Sequence, residues 1–149
     1  MKALALLLVA ISFALPALAQ DNNSTARTLV ANALAAARKE GKCVAAAVVD
    51  DGGNLVAFER DACASIGGGE TAIQKAKSAN AFRKPTSAFA EAVKSGNTGV
   101  ISATGVVAVA GGVPLELKGT RLGAIGVGGA TGPEDEAFAK AAIVTATER

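Results

Sequence analysis

"GGVPLELKGTRLGAIGVGG", residues 111–129, holds seven glycines and one proline. A hairpin requires glycine only at its turn, so the excess marks a place where something approaches the main chain closely. Together with "VVAVA" just before it, the stretch reads as three short apolar strands, with a tight turn at Lys118-Gly119-Thr120. Upstream, "CVAAAVVDDGGNLVAFER", residues 43–60, reads as two strands joined at Asp51-Gly52-Gly53. Tight hairpins mean antiparallel pairing, and the sheet expected from these pieces has about five strands.

Helices separate the two strand groups. Residues 23–39 place Leu29, Val30, Ala33, Leu34 and Ala37 on one helical face ahead of the stop signal Gly41. "GGGETAIQKAKSANAF" sets Ala72, Ile73, Ala76 and Ala79 at helical spacing, and Pro85 breaks the chain before a shorter helix over 87–94. "TGPEDEAFAKAAIVTATER" opens a last helix with Pro133 at its first position and three acids in its first turn, where the helix dipole favours negative charge. The expected class is therefore α+β, one antiparallel sheet with flanking helices.

The first 19 residues have another character. Met1 and Lys2 give a positive start, "ALALLLVAISFAL" an apolar run short for a bilayer, and Ala17-Leu18-Ala19 a small-residue cleavage site. Residues 1–19 are expected to be a signal peptide cut before Gln20, with an uncleaved anchor as the alternative. Residues 20–149 then form a single domain, periplasmic or secreted. Loss of Lys2 takes the 15 basic residues to 14 against 13 acids, a net charge of +1. With no basic block, no Tyr and no Trp, nothing favours a nucleic-acid partner, and no membrane contact is expected once the leader is removed.

Two cysteines remain. Folding about Asp51-Gly52-Gly53 sets Cys43 opposite residues 60–62, a place or two short of Cys63. Either a disulfide closes the base of the hairpin, as an oxidising compartment permits, or the two are separate small hydrophobes.

Site chemistry narrows by elimination. The chain has no histidine, which removes the commonest general base, the Ser-His-Asp and Cys-His arrangements and nearly all zinc sites. Asp50, Asp51, Glu59 and Asp61 cluster at the first hairpin, where they read as a solvated turn more readily than as a carboxylate pair. Neither GxxxxGK[ST] nor a spaced GxGxxG occurs, and the acids after "GVGGATGP" would repel an anion at that helix start. Lys75, Lys77, Arg83 and Lys84 are the concentrated cations, and Arg60 closes the second strand. If Arg60 and Lys75 or Arg83 border the glycine-rich stretch, they can hold a carboxylate or propionate while apolar strands hold a flat ligand; surface salt bridges are the alternative.

"VVDDGGNLVAFERDA", "AIQKAKSANAF" and "GGVPLELKGTRLGAIGVGGATGPEDEAFAKAAI" together resemble the GlcG/HbpS-like family of small haem-associated proteins, related to the C-terminal domain of PduO-type cobalamin adenosyltransferases. The resemblance runs from about residue 24 to 147. It implies a profilin-like α/β/α arrangement with a five-stranded antiparallel sheet, and homo-oligomers from dimer to octamer. It also implies binding of haem or a related tetrapyrrole, with haem degradation or redox sensing in some members. Gly111, Gly112 and Pro114 would form a backbone wall, and Gly123, Gly126, Gly128 and Gly129 would allow close strand-to-helix packing.

Two departures stand out: Gly128 occupies a position where the family usually has serine, and no histidine can ligate iron. Haem iron would need Cys43 or Cys63, a hydroxyl such as Thr104, a lysine or only water. The expected function is an exported tetrapyrrole-binding carrier or sensing accessory. The alternatives are an enzyme on haem or a small organic acid, with Lys75, Arg83 or Asp135 as polar participants, and an oligomeric interaction module without haem.

Overall fold

The computed structural model describes residues 16–117 and 119–147. Most of the expected leader, residues 1–15, and Lys118 of the expected turn lie outside them. The elements are α1 (Pro16–Lys39), β1 (Ala45–Val49), β2 (Leu55–Arg60), α2 (Ile66–Phe82), α3 (Ser87–Lys94), a 3-10 turn over Thr98–Ser102, β3 (Gly112–Leu117), β4 (Thr120–Gly128) and α4 (Gly132–Thr147). The expected cleavage point before Gln20 falls in the second turn of α1.

The sheet has four strands in the order β2-β1-β4-β3, every neighbour antiparallel. This corrects the five-strand expectation. "VVAVA" forms no strand, because its backbone groups are engaged elsewhere: the Val107 N–H donates to Ser78 Oγ on α2, and the Val106 N–H to the Ala103 carbonyl. Gly111, at φ +128, then turns the chain into β3.

Alternation along β1 and β4 sends side chains to two different layers. On one face Val44, Ala46, Val48, Val113, Leu115, Ile125 and Val127 pack against Leu29, Val30, Ala33 and Leu34 of α1 and Phe138, Ala139 and Ala142 of α4. Each fully buried aliphatic side chain of that size, such as Leu34 or Ile125, contributes about 1.5–3 kcal/mol. On the other face Ala45, Ala47, Val49 and Ala124 meet Ala72, Ala76 and Ala79 of α2. The second face is built from small residues, so α2 lies close to the sheet.

Close approach is enforced by glycine. A Cβ on Gly126 would stand 2.1 Å from the Ala72 carbonyl oxygen, and one on Gly112 would stand 2.3 Å from the Lys75 carbonyl oxygen. Gly112 and Gly126 are register partners across β3 and β4, so they form one flat seat under the middle of α2. Gly128 does the same beside Gly68 and Ala72, whereas Gly123 and Gly129 give way to β1 and to the residues just before it, and Gly119 faces open space.

The first hairpin keeps its expected turn. Asp50 accepts from the Asn54 N–H at 2.8 Å, and its carbonyl accepts from the Gly53 N–H. Hydrogen bonds from Asn54 and the turn amides hold the Asp50 carboxyl below its ordinary value. Just past the strand ends, Cys43 and Cys63 are joined as a disulfide with Cα atoms 5.7 Å apart. The other acids there have separate partners: Asp61 and Glu59 pair with Arg38 of α1, and Asp51 pairs with Arg121 of β4.

Candidate functional site

Lys75 is 1% exposed and lies between α2 and the far ends of β3 and β4. Helical periodicity places it there, since residues 72, 75, 76 and 79 share one stripe. Its ammonium donates to Asp135 Oδ2 at 2.8 Å and to the Val127 carbonyl at 3.0 Å. Asp135, on the first turn of α4, accepts from the Ala130 N–H through Oδ1. Burial pushes the Asp135 carboxyl above its ordinary value, and the Lys75 ammonium and the Ala130 amide offset part of that push. Gly111 makes room for the pair: a Cβ there would lie 2.8 Å from Lys75 Nζ and 2.9 Å from Asp135 Cβ.

The expected grouping of Arg60, Lys75 and Arg83 around the glycines does not form. Arg60 is exposed at the N-terminal end of α2, where its guanidinium donates to the Ala64 and Asp61 carbonyls. Arg83 is exposed at the opposite end of α2, a 17-residue helix about 25 Å long. Lys75 is enclosed between those ends. Gly111 and Gly112 do flank Lys75, whereas Pro114 pairs with Ala124 in the ladder of the edge strand β3. Proline fits an edge, because no inner strand needs its missing N–H.

One residue outward from Gly111, the segment Ala108–Ala110 floors a groove of about 580 Å³. Its walls are Ser87, Ala90 and Glu91 of α3 and Pro133, Glu136, Ala137 and Lys140 of α4. The size falls in the ordinary range for small-molecule sites, about 300–1,000 Å³, and the surface is mostly apolar with a few charges at the rim. An apolar cleft between α1 and the sheet, lined by Leu29, Val48, Leu115 and Leu122, holds about 240 Å³, less than that range.

The three successive acids of α4 point in different directions and do different work. Glu134 accepts from Thr131 and pairs with Lys42 at 2.8 Å, which holds its carboxyl down to about 2. Asp135 faces inward to Lys75. Glu136 is 9% exposed and lines the groove, where Oε1 meets Lys140 and Oε2 has no hydrogen-bond partner. Sequence reading missed Glu136, although its four-residue spacing from Lys140 is visible on a helix. It also missed the floor at 108–110, which looked like a strand.

The donors present bear on any iron-containing ligand. The chain has no histidine, both cysteines are bridged, and the one methionine, Met1, lies outside the described residues. At the groove the polar groups are the carboxylates of Glu91 and Glu136, the Ser87 hydroxyl and the Lys140 amine. None of these groups is the imidazole, thiolate or thioether usual for haem iron.

Comparison with known proteins places these features in context. The profile of the family described as haem-degrading protein HbpS-like matches residues 22–144. Protein GlcG of Escherichia coli K12 is 38% identical over 103 residues, covering 68% of this chain and 76% of that protein. A double mutant of HbpS from Streptomyces reticuli has a crystal structure similar to this one, with TM-score 0.75, 33% identity and coverage of 83% of this chain and 84% of that one. The crystal structure of a PduOC:heme complex is also similar, with TM-score 0.74, 26% identity and coverage of 91% and 94%.

Proposed function

This chain belongs to the haem-degrading HbpS-like family, and from that membership we propose that it binds haem or a related tetrapyrrole in the groove between α3 and α4. The observation that carries the reading is the groove itself: apolar walls from two helices, a floor at Ala108–Ala110, and a charged rim of Glu91, Glu136 and Lys140. The haem complex of the similar PduOC supports the ligand class. Ring burial contributes in proportion to apolar area whether or not the iron is ligated. The groove's own residues therefore hold the ligand by its ring and carboxylates: Ala90, Val109 and Ala137 supply apolar contact, and Lys140 exchanges its Glu136 partner for a propionate.

The protein acts outside the cytoplasm in this reading, after loss of residues 1–19, as a carrier or sensing accessory. Titration of haemin into residues 20–149, followed by the Soret band, tests the site. A saturable spectral shift that Ala137→Trp weakens about tenfold or more supports it. Ala137 is exposed, so the added ring fills the groove without disturbing the core. No saturable shift, or a shift that the tryptophan leaves unchanged, rejects the groove as the site.

A further inference from the structure

At the far end of α2 from the disulfide, the β1–β2 turn, the last turn of α2 and the start of β4 border an open cleft of about 430 Å³ lined by Asp51, Lys77, Asn80, Arg83 and Arg121. Three cations face one acid there. Neither Lys77 nor Arg83 has an ion-pair partner among the described residues, while Arg121 Nη2 is engaged by Asp51.

Two of the side chains that line this cleft each carry a buried polar atom with no hydrogen-bond partner, and the two atoms are of opposite kinds. Arg121 Nη1 carries N–H groups with no acceptor, and Asn80 Oδ1 is an acceptor with no donor. The orientation of the Asn80 amide is fixed, because its Nδ2 donates to the Asp51 carbonyl at 3.1 Å and the reverse orientation would set two oxygens against each other. Asn80 is 8% exposed, so its free oxygen is not simply at the surface. Unmet buried polar groups are costly and mark places where a partner is missing.

Arg83 adds a third observation. It is the only described residue other than glycine with positive φ, at +55, on the helix-capping position where glycine is usual. The chain keeps a guanidinium beside the cleft on a backbone conformation that disfavours it.

We propose that this cleft is a binding site for a small oxyanion that carries its own O–H group. The anionic oxygens would take the free Arg121 N–H and the charges of Lys77 and Arg83, and the ligand's hydroxyl would donate to Asn80 Oδ1. Charge alone would accept any small anion; the Asn80 oxygen selects for one with a proton to give. Hydrogen phosphate and 2-hydroxycarboxylates share this chemistry. The site is separate from the α3–α4 groove and does not depend on tetrapyrrole binding.

Calorimetric titration of residues 20–149 at neutral pH and fixed ionic strength tests it with matched probes: inorganic phosphate against sulfate, which has no O–H, and lactate against propionate. The expected result is that phosphate, lactate or both bind about tenfold or more tighter than the probe lacking the hydroxyl, and that Arg83→Gly weakens the bound member about tenfold. Glycine suits the φ at residue 83, so the variant keeps the fold, and thermal melting verifies that. Ala137→Trp should leave this binding unchanged. Absence of binding by all four probes, equal binding within both pairs, or indifference to Arg83→Gly would overturn the proposal.

Discussion

Lys75 and Asp135 are 60 residues apart in sequence and meet in the interior, where each compensates the charge of the other. Breaking such a pair on one side leaves a lone buried charge, whereas removing both sides is much cheaper. Lys75→Met should therefore lower stability by about 3–5 kcal/mol, and Lys75→Met with Asp135→Leu should recover most of that loss, as read from urea unfolding. If the single and double variants are equally unstable, the pair is not the source of the effect.

Glu134 gives a pH-dependent counterpart at the surface. Its carboxyl titrates near 2 in the folded protein against an ordinary value of 4.5, so it binds a proton less readily when folded. The stability it adds is present above about 4.5 and is lost as the pH falls from there toward 2. Melting curves across that range should be flatter for Glu134→Gln than for the parent, with the two parallel above pH 5. Identical slopes would show that the Lys42 and Thr131 contacts do not form in solution.

Some of this was readable in advance. The first-turn acids of α4 announced the helix start, but nothing local told which one would turn inward. Lys75 read as a ligand cation because it stands with Lys77, Arg83 and Lys84 as one of the concentrated cations. Its burial depends on Asp135, a partner no local pattern identifies.

Among the elements, α2 depends most directly on the glycines. Gly126→Ala would press a methyl group into the Ala72 carbonyl, backbone against backbone, and should cost about 1–3 kcal/mol or more. Gly41→Ala is the contrast: no atom lies within 4 Å of its added carbon, and its cost comes from φ +68 alone. A Gly126→Ala variant as stable as the parent would mean that α2 does not sit where it is described. The disulfide spans a sequence separation of 20, and its removal as Cys43→Ser with Cys63→Ser should cost about 3 kcal/mol without altering porphyrin binding, since neither residue lines the groove.

The hairpin, α1, α3 and α4 were legible from turn residues, caps and periodicity. The fifth strand was not, because "VVAVA" has the composition of a strand, and only the tertiary contact from Val107 to Ser78 diverts it. The glycine run was correctly read as a close approach, although a ligand and a helix give the same sequence signal.

At the scale of the whole molecule, one sheet carries two unlike layers. The α1–α4 side is a conventional aliphatic core, and the α2 side is a thin alanine–glycine contact with a buried ion pair at its edge. The outer strand β2 exposes Leu55 and Phe58, and β3 is the other open edge. Such edges invite pairing between copies. If homo-oligomers form through them, the melting temperature should rise with protein concentration; a melting temperature independent of concentration would show that the monomer is self-sufficient.

The central claim is that the tetrapyrrole is held by its ring and carboxylates and not by its iron. The most direct test is to titrate the protein in parallel with haemin and with iron-free protoporphyrin IX. Affinities within about threefold of each other, both weakened by Ala137→Trp, are the predicted result. Binding of haemin alone, with protoporphyrin excluded, would contradict the account and require an iron ligand that the groove does not provide.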